Sequence, residues 1–82
     1  MEDKQILLNN IDKVHTTEMG IDRIKKNLKL DTDDVVDYCK NKVLDKKSLI
    51  YRKGKNWYIE NDAIKITINA TSYTIITAHI IK

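Results

Sequence analysis

Proline and phenylalanine are both missing from these 82 residues, and glycine occurs only as Gly20 and Gly54. Without proline, element boundaries must come from caps, from the two glycines and from changes of hydrophobic period. Two isolated glycines cannot build a Gly-rich phosphate loop, which excludes the nucleotide-binding fingerprints made that way. The single cysteine, Cys39, excludes an internal disulfide framework and suits a reducing compartment, so a cytoplasmic location is expected. One Cys and two His, far apart in the chain, lack zinc-ligand spacing, and neither a metal nor another cofactor is expected. No apolar run approaches the ~20 residues that span a bilayer, so no membrane association is expected. The opening "MEDKQILLNN" is acidic at once and lacks the pattern of a secretory leader.

What is present reads as one globular domain over 1–82. Hydrophobic residues make up 41% and charged residues 33%, too apolar for a disordered chain. The net charge of +3 is unevenly spread. Between Asn41 and Trp57 stand Lys42, Lys46, Lys47, Arg52, Lys53 and Lys55 against Asp45 alone. Asp31 to Asp37 holds Asp31, Asp33, Asp34 and Asp37 and no base. Such a basic segment is either a phosphate-binding surface or a solvated hairpin whose lysines block edge pairing.

The helical part spans 4–45. Leu7, Ile11 and Val14 in "KQILLNNIDKV" recur at helical spacing. In "HTTEMGIDRIKKNLKL", Thr16 or Thr17 caps a helix with the stripe Ile21, Ile24 and Leu28. Gly20 lies within its first turns at a cost of roughly 1 kcal/mol relative to Ala, so either something approaches the backbone there or the helix starts later. "DTDDVVDYCKNKVL" begins with Asp31 or Thr32 as cap and carries Val36, Cys39 and Val43 on one face, with Val35 beside them. Cys39 in that stripe reads as a small core residue rather than a nucleophile.

The sheet part spans 48–82, where the period becomes alternating. "SLIYR" and "NWYIE" flank a hairpin turn at Gly54. "AIKITIN" puts Ile64, Ile66 and Ile68 on one face and Lys65, Thr67 and Asn69 on the other. "SYTIITAHIIK" puts Tyr73, Ile75, Thr77 and His79 on one face, with Thr74, Ile76, Ala78 and Ile80 behind. Both faces of this last strand are largely apolar, which predicts a central position in the sheet. The expected architecture is α+β, with about three N-terminal helices packed on one face of a four-stranded antiparallel C-terminal sheet. Thr77 and His79 then look out from the open face, with the basic hairpin "YRKGKNWY" beside it. His can move a proton and Arg or Lys can stabilise charge on phosphorus, the elements of a ribonuclease site without metal. The plainer alternative is a structural His and ordinary strand threonines.

The stretches "HTTEMGIDRIKKNLKL", "GKNWY", "ITIN" and "YTIITAH" resemble, over nearly the whole chain, a small bacterial family known as domain of unknown function 3781. More loosely, the capped helix "DTDDVV", the strand meander and the ending "IITAH" resemble the barnase, colicin and RelE-like fold of toxin ribonucleases. That resemblance implies RNA cleavage without metal and, often, a protein partner such as an antitoxin. The His and Arg that many of those enzymes carry on a helix fall here at Gly20, Ile24 and Leu28. Only Thr77 and His79 match at residue level.

Three functions follow as expectations. In an endoribonuclease, His79, Thr77, Arg52 and Tyr73 would be catalytic. Lys53, Lys55, Arg23, His15 and Trp57 would hold nucleic acid, with Trp57 or Tyr58 a stacking platform, Trp57 only if its alternation with Ile59 does not bury it. In a non-catalytic nucleic-acid binder, helix-turn-helix docking is opposed by Asp31, Asp33, Asp34 and Asp37 on the would-be recognition helix. A protein-binding inhibitor module of phage or mobile-element type is the third.

Overall fold

The computed structural model describes residues 4–81. Three helices, α1 (Lys4–Asn9), α2 (Glu18–Leu28) and α3 (Val35–Leu44), precede four strands, β1 (Leu49–Lys53), β2 (Asn56–Asn61), β3 (Ile64–Asn69) and β4 (Ile75–Ile80). The strands form one antiparallel meander in the order β1-β2-β3-β4. The α+β expectation holds, with α1 against β1, α2 against β4 and α3 against β2.

Local chemistry sets the helices. The first predicted helix is split: α1 stops at Asn9 and a 3-10 turn, Ile11–Lys13, carries the chain on, while Leu7 and Val14 are buried as expected. The Thr17 hydroxyl caps α2 by accepting from the Gly20 N–H at 3.0 Å. Lys29, at φ 56°, closes it in the left-handed region. The start of α3 lies later than predicted. Asp34 occupies the cap position without a side-chain cap bond, and Thr32 Oγ1 accepts from the Asp34 N–H at 3.0 Å. The buried stripe of α3 is Val35, Cys39 and Val43, at i, i+4, i+8, with Val36 only half-buried.

The first two hairpins turn over two residues. Gly54 adopts φ +62°, the left-handed conformation that its place in the hairpin turn calls for. Asp62 and Ala63, both at positive φ, make the second turn and place Asn61 opposite Ile64. One sheet face therefore presents Trp57, Ile59, Ile66, Ile68, Ile75 and Ala78 to the helices, all at most 2% exposed.

β4 corrects two expectations. It is an edge strand, not a central one. It also does not alternate, because a bulge falls where Thr67 pairs with Thr77 while Ile68 pairs with Ile75. Ile76 is the extra residue, 47% exposed. Ile75 thus joins Ala78 on the core face, while Thr77 and His79 keep the other face. The apolar character of this strand comes from α2 packed along its outer edge, not from cover on both sheet faces. The Thr16 hydroxyl donates to the Ile75 carbonyl at 3.1 Å and Asn27 Nδ2 to the Ala78 carbonyl at 3.3 Å. His15 adds a parallel bridge to Thr74, with its N–H donating to the Tyr73 carbonyl and its carbonyl accepting from the Ile75 N–H. The edge is thereby closed to further strands.

Candidate functional site

The face of the sheet away from the helices carries side chains in rows across the strands. One row runs Leu49, Glu60, Lys65, His79, and the next Tyr51, Tyr58, Thr67, Thr77. Thr67, at the centre, is buried by its neighbours, while the others in the two rows are half-buried or exposed. No described helix packs on this face.

Within the rows the contacts are ordered. The Tyr51 hydroxyl donates to Glu60 Oε2 at 2.7 Å, and this bond, chiefly, raises the Tyr51 pKa above its ordinary value. Tyr51 and Tyr58 stack, with ring centroids 5.5 Å apart and planes 22° from parallel. The Lys65 ammonium lies over the Tyr58 ring, 5.0 Å from its centroid. Tyr58 is thus flanked by Tyr51 and Lys65. The Glu60 carboxylate is oriented by Tyr51, and Lys65 stands between Glu60 and His79.

The two histidines differ in kind. His15 is tied at both ring nitrogens: Nδ1 to the Lys13 carbonyl at 2.8 Å and Nε2 to the Thr74 hydroxyl at 3.2 Å. The carbonyl can only accept, so Nδ1 carries a proton, and the Thr74 hydroxyl, which can donate or accept, meets Nε2. That ring pins the bridge to β4. His79 is exposed, and its ring hydrogen-bonds to no described residue.

The residues expected to act together separate into groups. His79 and Thr77 share the open face. Tyr73 does not join them: it lies in the turn before β4, at φ 59°, and packs against the core. Arg52 pairs with Trp57 on the core side, its guanidinium 5.7 Å from the indole centroid and its Nε donating to the Gly54 carbonyl. Trp57 is 1% exposed and cannot stack on a base. Lys53 and Lys55 flank Gly54 in the exposed first hairpin, and Arg23 is exposed on α2. The sequence reading missed Glu60, Lys65, Tyr51 and Tyr58 as a group. Placing a two-residue turn at Asp62–Ala63 would have set Glu60 opposite Lys65 and exposed the row.

Cys39 is fully buried, and burial pushes its thiol up to about 12, so it is no nucleophile at neutral pH. Among the described residues, no three His, Cys, Asp or Glu side chains cluster as metal ligands would. No described helix is long and apolar enough to cross a membrane. No curated protein and no solved structure matches the chain significantly. Residues 8–79 match the family described as "Protein of unknown function (DUF3781)", and the chain belongs to that family.

Proposed function

We propose that this protein is an endoribonuclease of toxin type, working without metal on single-stranded RNA laid across the open sheet face. The observation that carries the reading is the row Glu60–Lys65–His79, which sets a carboxylate residue, a lysine and a histidine with no described side-chain partner at neighbouring register positions on one sheet face. Neighbouring strands lie 4.7–4.9 Å apart, so the backbones of Glu60 and His79 are about 10 Å apart with Lys65 midway. A phosphodiester over Lys65 has a proton acceptor on one side and a proton donor on the other, as in-line displacement at phosphorus requires.

The step balances with these groups alone. The Glu60 carboxylate takes the proton of the ribose 2′-hydroxyl. The 2′-oxygen bonds to phosphorus, the bond from phosphorus to the 5′-oxygen breaks, and that oxygen takes a proton from the His79 imidazolium. The products are a 2′,3′-cyclic phosphate and a 5′-hydroxyl. Lys65 stabilises the charge gathered on the phosphoryl oxygens. Tyr51 keeps Glu60 aimed, and the Thr77 hydroxyl lies one row away to orient the substrate. Lys53 stands two rows from Glu60 along the strands, about 13 Å at 3.3–3.4 Å per residue, suited to a neighbouring phosphate rather than the reacting one. Such an enzyme would act in the cytoplasm, and a protein inhibitor would be its natural partner.

The test is cleavage of a labelled single-stranded RNA by the purified protein in the presence of EDTA. Wild type should yield a 2′,3′-cyclic phosphate end. His79→Ala and Glu60→Gln should each lose 10²–10⁴-fold in rate with unchanged circular dichroism. An RNA carrying 2′-deoxyribose at the cut position should resist. Wild-type protein that binds RNA but leaves it intact would overturn catalysis and leave a binding module.

A further inference from the structure

The outer side of α2 holds two adjoining cavities that share Met19 and Arg23. One, of about 450 Å³, is lined by Met19, Asp22, Arg23, Lys26 and Asn27. The other, of about 370 Å³, reaches β4 at Thr74, Ile75 and Ile76. Together they make a groove along the closed edge of the sheet. Two large apolar side chains stand open beside it, Met19 at 73% exposure and Ile76 at 47%. Neither Arg23 nor Lys26 makes an ion pair with a described residue. Lys25, one residue away, is by contrast held by Asp33 at 2.6 Å.

The groove is joined to the open face at one point. Asn27, which lines it, donates to the Ala78 carbonyl, and the next residue is His79. The bulge lies at the same junction, since its extra residue, Ile76, lines the groove together with Thr74 and Ile75.

We infer that the α2–β4 groove binds the nucleotide that follows the cleaved bond, so that RNA crosses the sheet in one direction, from β1 towards α2. The inference rests on the ribonuclease reading. In a carboxylate–imidazole pair the imidazole is the more basic group, so the carboxylate takes the proton and the imidazolium gives one. The acid protonates the leaving 5′-oxygen, which belongs to the downstream nucleotide. That nucleotide therefore leaves past His79, over the β4 edge, onto α2. There Arg23 and Lys26 meet its phosphate, and Met19 and Ile76 offer its base an apolar surface. The flexible Met19 side chain adapts to any base, so the groove confers reach rather than sequence preference. The upstream nucleotide lies over β1 and β2. Tyr58 already contacts Tyr51 and Lys65 there, and Tyr51, on the outer strand β1, is the ring on which its base stacks.

The experiment uses two RNAs made uncleavable by one 2′-deoxyribose at the reacting position. One extends only upstream of it and the other only downstream. Affinity is measured by fluorescence anisotropy for wild type and for Arg23→Ala/Lys26→Ala. Both positions are exposed, and an unchanged melting temperature verifies the fold. The double variant should lose about tenfold or more for the downstream-extended RNA and less than twofold for the upstream one. Equal losses for both, or none, would overturn the groove while cleavage by wild type kept the nuclease reading intact. Failure of wild type to bind either RNA would overturn both.

Discussion

Gly20 is the residue whose presence the fold explains most directly. A Cβ added there would collide with the Thr16 hydroxyl, and that hydroxyl is committed to the Ile75 carbonyl. The helix forgoes the better helix former so that Thr16 can anchor the edge of β4. Gly20→Ala should therefore destabilise by about 1–3 kcal/mol, against the roughly 1 kcal/mol that propensity alone would gain. In a Thr16→Ala background the same change should be neutral or favourable, and urea denaturation of the four proteins reads the coupling. Cys39 gives a second prediction. Its thiol ionises at about 12 in the folded chain because burial disfavours the thiolate, and near 8.5 when unfolded. Below pH 8 both states hold the proton and Cys39 adds no pH dependence. Between about 9 and 12 only the unfolded chain has lost it, so stability falls as pH rises, by at most about 1.4 kcal/mol per unit. Lys42, raised chiefly by its bond to Asp62, adds a decline in the same direction. Cys39→Ala should lower stability at pH 7 by opening a cavity, yet show a shallower decline from pH 9 to 11 in denaturant titrations.

The turns and the last strand are where elements depart from their sequence pattern. Ala63 sits at φ 63° beside Asp62 at φ 52°, a conformation that costs an L-residue roughly 1–2 kcal/mol. Ala63→Gly relieves that cost against a loss of unfolded-state entropy. The net should be a stabilisation of roughly 0.5–1 kcal/mol, read as a higher urea midpoint with an unchanged slope. No sequence rule marks an Asp-Ala pair as a hairpin turn, which is why β2 and β3 were legible as strands while the register joining Glu60 to Lys65 was not. β4 was harder for a different reason. "TIITAHI" alternates well enough to be read without a break, and a bulge leaves no mark when the extra residue is as apolar as its neighbours. The reading still put Thr77 and His79 on the open face, because alternation counted back from the C-terminal end is correct as far as the bulge. Tyr73, counted beyond it, was misplaced. The helices were the most legible part, since Leu7, Ile24, Leu28, Cys39 and Val43 follow the 3.6-residue period and are all buried.

At the scale of the whole molecule, the modest net charge of +3 hides a division of labour. Acidic residues gather between α2 and α3, at Asp31, Asp33 and Asp34, where Asp33 is spent on Lys25. The cations assigned to RNA lie elsewhere: Lys65 on the open face, Lys53 and Lys55 at its far end, and Arg23 and Lys26 along the β4 edge. One single strand crossing from the hairpin to α2 would meet three to five of them. Each phosphate neutralised releases condensed counterions, and for single strands the logarithm of affinity falls with the logarithm of salt by about 0.7 per contact. Wild-type protein with an uncleavable RNA spanning both sides should therefore show a slope of about −2 to −3.5. Lys53→Ala and Arg23→Ala, at opposite ends of the path, should each flatten it by about 0.7, and together by about twice that. A slope near zero would mean that stacking on Tyr51 and apolar contact dominate, and the path across the sheet would have to be redrawn. A slope unchanged by either substitution would place the phosphates elsewhere, most simply along Lys46 and Lys47 before β1.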